Sequence, residues 1–185
     1  NEANLVDADV IAAYKESGKT CIQVFFFRSG ASFGNRAYFP SHSHDDRIED
    51  VLEAFLGQFY AKAQKPKTIL LSHRLSNHKL LVEALSVSAG HKIQLLYPKR
   101  GTKNNLINHA LSNAKEALER RMAENATQLS LLEGIAKAFD LNGIAQRIEV
   151  YDNSHISGTK AVGAMIVAGP EGLIKKAYRK FNIQG

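Results

Sequence analysis

The stretch Arg147-Ile-Glu-Val-Tyr-Asp-Asn-Ser-His-Ile-Ser-Gly158 sets an acid where a strand face should carry a hydrophobe. Side chains alternate along a strand, so Ile148, Val150 and Asp152 share one face while Arg147, Glu149 and Tyr151 share the other. A carboxylate that continues an apolar face is costly to desolvate unless it is hydrogen-bonded, paired with a cation or bound to a metal. Residues 161–168 (AVGAMIVA) read as a second strand, and Gly169-Pro-Glu-Gly172 as a turn into a third over residues 173–183. The expectation is a three-stranded meander with an acid near the end of its first strand.

Working outward, residues 10–14, 21–27 and 32–39 read as three more strands, with turn signals at residues 16–19 and 28–30. Ile48, Val51, Leu52, Phe55 and Phe59 recur at helical spacing, with Asp45 or Asp46 available as the cap and Pro66 closing the segment. A short buried strand over 68–72, a helix over 77–88 stopping at Gly90, and a strand over 92–97 follow. Residues 102–141 read as one long helix and a second after it, striped by Leu111, Ala114, Leu118 and Met122, then by Leu129, Leu132, Ile135, Ala136 and Phe139. The order is βββαβαβ, then helices, then a new βββ, an α/β arrangement with mixed sheets. The domain expectation is an α/β unit over residues 1–98, a helical segment over 99–144 and an opening β-meander over 145–185.

Composition bounds the function. The 185 residues, 44% of them hydrophobic, suffice for a real core, and 24 Lys and Arg against 18 Asp and Glu give a net charge of +6, which favours a polyanionic partner. The single cysteine, Cys21, is expected to be buried and rules out an internal disulfide and any multi-thiolate metal site. No apolar run reaches transmembrane length and the polar start NEANLVDAD is no signal peptide, so the expectation is a cytoplasmic protein with no membrane partner.

The run YDNSHISGTKAVGAMIVAGPEG (151–172), continued by YRKFNI (178–183), resembles the endonuclease region of the UvrC family, the incision subunits of the bacterial UvrABC excision nuclease. VFFFRSGASFGNRAYFP (24–40), EAFLGQFY (53–60) and EALERRMAENATQ (116–128) fit the same family, so the resemblance spans nearly the whole chain. It implies ribonuclease H-like folds and a DNA endonuclease of nucleotide excision repair that makes the 5′ incision beside a lesion. It also implies damaged double-stranded DNA and a UvrB–DNA complex as partners. The element order adds a duplication: residues up to about 140 read as one complete ribonuclease H-like copy and the last segment as the truncated opening of another. An offset of 140 pairs Val10 with Val150, Ser17-Gly18 with Ser157-Gly158 and Ala37-Tyr38 with Ala177-Tyr178, and sets Ala12 where Asp152 falls. On that register the first copy lacks the strand carboxylate and is non-catalytic. A shift of two or three residues would instead bring Asp7 or Asp9 to the position.

The resemblance makes Asp152 the first-strand ligand of a Mg2+ or Mn2+ site, with two further aspartates and a histidine expected beyond Gly185. One carboxylate does not make a two-metal site, so this polypeptide alone is expected not to cut DNA. Lys175, Lys176, Arg179 and Lys180 on the third strand, and Lys99, Arg100 and Lys103 around Gly101, are candidate DNA contacts; the alternatives are anti-aggregation lysines on an edge strand and an ordinary solvated loop. Tyr178 and Phe181 are expected on opposite faces of that strand, one able to stack on a base. His155 is expected to be a turn or DNA-contact residue rather than a ligand. His42, His44, Asp45 and Asp46 (SHSHDD) could catch a transition metal, but read better as a loop and helix cap. The competing functional class is a non-catalytic nucleic-acid- or protein-docking module that keeps the fold without a complete site.

Overall fold

The computed structural model describes residues 6–156 and 159–183, and the side chains of residues 155–160 are outside that description. Contacts divide the chain into two units, Asn1–Glu119 and Arg120–Gly185. The first opens with β1 (Asp7–Glu16), β2 (Lys19–Arg28) and β3 (Ala31–Tyr38). These strands run to the very ends of two-residue turns, because Ser17 (φ 49°), Gly18 (φ 72°), Ser29 (φ 50°) and Gly30 (φ 78°) all take the positive φ that such hairpin turns require. The pairs Glu16–Lys19 and Arg28–Ala31 close them. Then come α1 (Ile48–Tyr60), β4 (Thr68–Leu71), α2 (His78–Ala89) and β5 (Gln94–Leu96). The sheet order is β3-β2-β1-β4-β5, with β4 parallel to both β1 and β5. This is the mixed α/β plan expected from the order of elements.

β1 lies in the middle of the sheet and is buried on both faces. Ile11 and Ala13 join Ile22, Val24, Leu52, Leu56, Tyr60 and Leu85 in one core layer, against α1 and α2. Ala8, Val10 and Ala12 join Phe25, Leu70, Ile107 and Ala110 in the other, against α3 (Gly101–Ala138). Cys21 is buried on β2. Two local expectations are corrected here. The segment expected as two helices over 102–141 forms one 38-residue helix, Gly101–Ala138, because Ala123-Glu-Asn-Ala-Thr-Gln128 contains neither Gly nor Pro to interrupt the ladder. Neither Asp45 nor Asp46 caps α1; the cap position is Arg47, without a side-chain cap bond. Asp46 instead accepts the Ser43 amide at 2.8 Å, and Glu49 and Asp50 in the first turn meet the positive end of the helix dipole.

Among the described residues, the one buried acid of this unit is structural. Asp9 shares the Ile11 face of β1 and is fully buried. Its carboxylate accepts the Tyr60 hydroxyl at 2.7 Å and the Arg28 guanidinium at 2.8 Å, and Arg28 also reaches Asp7 at 3.5 Å. Burial pushes the Asp9 carboxyl above its ordinary range, with Tyr60 and Arg28 pulling it back. Burial and the neighbouring Asp9 push the Tyr60 hydroxyl well up.

The second unit carries β6 (Ile148–Ile156), β7 (Thr159–Gly169), β8 (Gly172–Leu173) and β9 (Arg179–Asn182). β7 is central, with β6 on one side and β8 and β9 in succession on the other. The third strand expected over 173–183 is therefore broken: a single 3-10 turn at Lys175–Ala177 separates β8 from β9. Met165 and Val167 are buried on one face of β7, whereas Val150 and Ile166 on the opposite face of the sheet are 55% and 42% exposed. No helix among the described residues is long and apolar enough to cross a membrane.

Removing the Tyr60 hydroxyl deprives a buried carboxylate of one of its two side-chain donors, so Tyr60→Phe should destabilise the first unit by about 1.5–3 kcal/mol, measured by denaturant titration. A loss below about 0.5 kcal/mol would show that the hydroxyl is dispensable. The pH dependence has a definite sign. A carboxyl whose folded pKa is raised contributes stability below its ordinary value of 3.8 and loses it as pH rises through the folded value. The margin of wild type over Asp9→Asn should therefore narrow from about pH 3 to about pH 7; a widening margin would mean that Arg28 outweighs burial.

Candidate metal centre and nucleic-acid interface

Asp152 lies on β6 directly across from Ala164 of β7, and Ala164 lies directly across from Lys180 of β9. Residues opposite one another in a sheet share a face. Asp152, Ala164 and Lys180 thus form one row across three strands, flanked on β7 by Val162 and Ile166. The face carries Ile148 and Val150 beside Asp152, as the alternation predicted, but in this chain Asp152 is exposed. No described residue forms a hydrogen bond or ion pair with it. The other acid of β6 is already engaged: Glu149, on the opposite face, accepts Tyr151 at 2.6 Å and Arg147 at 2.6 Å, and these bonds pull its carboxyl below the ordinary range.

The break in the third strand decides which basic residues stand beside Asp152. β8 pairs Gly172 with Gly169 and Leu173 with Ala168. Continued without interruption, that register would set Ala177 opposite Ala164. The observed partner is Lys180, three residues later. An odd shift exchanges the two faces of everything beyond it. Lys180 and Asn182 consequently share the Asp152 face, and Arg179 and Phe181 the other. Lys175 and Lys176 are in the 3-10 turn rather than on a strand, and Tyr178 lies just before β9, so the expected opposition of Tyr178 and Phe181 on one strand does not apply. Arg179 donates to the carbonyls of Lys176 (3.1 Å) and Tyr178 (2.8 Å). Lys180 has no ion-pair or hydrogen-bond partner among the described residues.

The other basic candidates belong to the first unit. Lys99 and Arg100 are exposed between β5 and α3, and Lys103 is half-buried in the first helical turn. Facing them is the loop after β4, held by the Leu75 amide donating to the Tyr97 hydroxyl at 3.3 Å and by a 2.9 Å contact between that hydroxyl and His78 Nδ1. His73 of this loop has its pKa lowered by burial, with Glu49 opposing and Lys99 adding to the fall. None of Lys99, Arg100 and Lys103 forms an ion pair with a described acid.

SHSHDD is a loop closure. His42 Nδ1 lies 2.7 Å from the Ser43 carbonyl and His44 Nδ1 lies 3.1 Å from Asp45. The Lys15 ammonium donates to the carbonyls of His44, at 2.8 Å, and Asp46. Among the described residues no three His, Cys, Asp or Glu side chains come together as a metal-binding group. A hard divalent ion takes several oxygen ligands; the exposed Asp152 carboxylate fits one of them. The His155 side chain lies outside the described residues, as does the Ser157-Gly158 part of the sequence echo.

Counting four residues back along the first strand from the closing pairs Glu16–Lys19 and Ile156–Thr159 reaches Ala12 and Asp152, but the register of the second hairpin shifts between Ser154 and Ile156, so Ala12 faces Gln23, four residues past Lys19, whereas Asp152 faces Ala164, five past Thr159. Ala12 is packed under α3, and the nearest acid of β1, Asp9, is on the opposite face with Tyr60 and Arg28. What sequence reasoning missed is the Asp152–Ala164–Lys180 row, whose only linear trace is the length of chain between Gly172 and Arg179.

Two family models match the chain, a UvrC Ribonuclease H-like domain over residues 7–121 and a UvrC RNAse H endonuclease domain over residues 136–185. The UvrABC system protein C of Rhodospirillum rubrum is 56% identical over 184 residues, covering 100% of this chain and 29% of that protein. Those of Nitrobacter hamburgensis (56% over 184 residues) and Ruegeria pomeroyi (54% over 185 residues) also match 100% of this chain, with 27% and 30% of their own length covered. The chain thus spans less than a third of the length of these relatives. With a ribonuclease H-like model on each part and this level of identity from end to end, the chain belongs to the UvrC family.

Proposed function

We propose that this chain is the central part of an excision endonuclease acting in the cytoplasm on damaged double-stranded DNA, loaded through a UvrB–DNA complex, and that its second unit contributes to the 5′ incision. The observation that carries the reading is the exposed carboxylate of Asp152, which shares a sheet face and row with Lys180, neither having a partner among the described residues, within the segment matched by the endonuclease model. Asp152 would hold Mg2+ or Mn2+ as one ligand of a larger set. Such an ion supplies Lewis-acid stabilisation of charge and lowers the pKa of bound water. This chain's residues do the rest of what is proposed here: Asp152 provides negative charge at a fixed point of the sheet, and basic residues hold the phosphodiester backbone against that face.

The non-catalytic reading applies to the first unit, where Asp9 is engaged by Tyr60 and Arg28 and the sequence offset of 140 sets Ala12 where Asp152 falls. Its role in this proposal is to support the endonuclease unit and to offer Lys99, Arg100 and Lys103 to phosphates. Residues 99–144 connect it to the opening meander of residues 145–185.

In the intact protein, Asp152→Asn keeps the shape of the side chain and removes its charge. The 5′ incision of a lesion-containing duplex should fall by at least roughly 100-fold, on the scale of losing a main electrostatic element of a catalytic site. Loading and the other incision should persist. A 5′ rate within twofold of wild type would make Asp152 a structural acid only. The 185-residue chain, holding one ligand, should not nick DNA with magnesium or manganese; metal-dependent nicking by it would reveal a complete site elsewhere in its acids.

Charge neutralisation gives an independent check on the DNA contacts. Replacing Lys175, Lys176, Arg179 and Lys180 by Gln should reduce the slope of log affinity against log salt by about 0.9 for each residue that touches a duplex phosphate. An unchanged slope would remove this cluster from the interface.

A further inference from the structure

We propose that Lys180 is the residue of this segment that grips the backbone phosphate at the Asp152 centre, a positioning role distinct from general DNA attraction. The inference deepens the reading of Asp152 as a metal ligand and rests on it. Four basic residues lie between Lys175 and Lys180, and charge alone does not separate them. The register does. Only Lys180 shares both the face and the row of Asp152, through Ala164. Two strand spacings put their backbones about 9–10 Å apart, and the intervening side chain is a single methyl group, so nothing walls one from the other. Arg179 points to the opposite face and is bound to two carbonyls of its own segment; Lys175 and Lys176 stand outside the sheet.

The chemistry favours a phosphate as the group held between them. A lysine ammonium on a four-carbon stem is a mobile point charge with three donors, and Lys180 is exposed without a described anionic partner. Beside a cation bound at Asp152 it would be repelled, unless an anion bridged the two charges. A backbone phosphate would supply that anion. Asn182, two residues along on the same face, offers an uncharged donor for the neighbouring sugar–phosphate. The 3-10 turn is what makes this possible: without its register shift Lys180 would face away from Asp152.

The test uses the intact protein on duplexes in which single phosphates around the 5′ incision are replaced by neutral methylphosphonates, under single-turnover conditions at saturating magnesium. Lys180→Gln should slow 5′ incision roughly 10- to 100-fold, the scale of one lost charge-assisted contact. Loading and the other incision should be unchanged, and Lys180→Arg should restore most of the rate. Wild type should lose a similar factor when one particular phosphate is neutralised, and Lys180→Gln should lose nothing further there. A readout without chemistry comes from ethylation interference in the Asp152→Asn background: that phosphate should register as a contact with Lys180 present and vanish with Gln. A Lys180→Gln rate within twofold of wild type, or equal sensitivity of both proteins at every phosphate, overturns the inference. If Asp152→Asn also cuts normally, the metal-ligand reading fails with it; if Asp152→Asn is inactive while Lys180→Gln is normal, only the role of Lys180 fails.

Discussion

Pairing to a central strand is the constraint on which both units depend. A strand with neighbours on each side satisfies its amides and carbonyls in the sheet, and its side chains are then committed to alternate faces with no freedom left. In the first unit β1 occupies that position, and the commitment produces two separate core layers from one run of residues, Ile11 and Ala13 on one side and Ala8, Val10 and Ala12 on the other. In the second unit β7 plays the same part, and it brings Asp152 and Lys180 into one row although they are far apart in the chain.

The two units use acids in opposite ways. Asp9 is dehydrated, and its cost is offset by the Tyr60 hydroxyl and the Arg28 guanidinium at 2.7 Å and 2.8 Å; every strong donor near it is occupied in holding the fold. Asp152 is exposed, and among the described residues neither it nor Lys180 of the same row has a hydrogen-bond or ion-pair partner. A carboxylate satisfied by its own protein has little left for a metal ion, whereas one left unsatisfied on an ordered strand is available for it.

Much of the fold was legible because its signals are local. Turn dipeptides such as Ser17-Gly18 and Ser29-Gly30 announce hairpins through backbone conformations open to few residues, and the spacing of Val51, Leu52 and Phe55 announces a helix. Local signals misled where tertiary contacts compete for the same group. Asp46 had the right type and place for a helix cap, but its carboxylate closes the SHSHDD loop on Ser43 instead. The stripes of residues 102–141 suggest two helices, but no residue between them breaks the backbone ladder of α3.

The sequence by itself determined the α/β class, the hairpins, the placement of Asp152 on the face of Ile148 and Val150, and kinship with the UvrC family through long shared phrases. Those properties follow from alternation, turn chemistry and residue identity, which the chain carries within a few residues of each position. Only the tertiary structure decided that Asp9 is a sealed structural acid, since its partners Arg28 and Tyr60 arrive from another strand and a helix. Only it decided that Lys180, rather than Arg179, stands beside Asp152. The 3-10 turn at Lys175–Ala177 shifts the register by three residues between β8 and β9, which reverses the face of the side chains of β9, and the pairing of β9 to β7 records where the strand resumes.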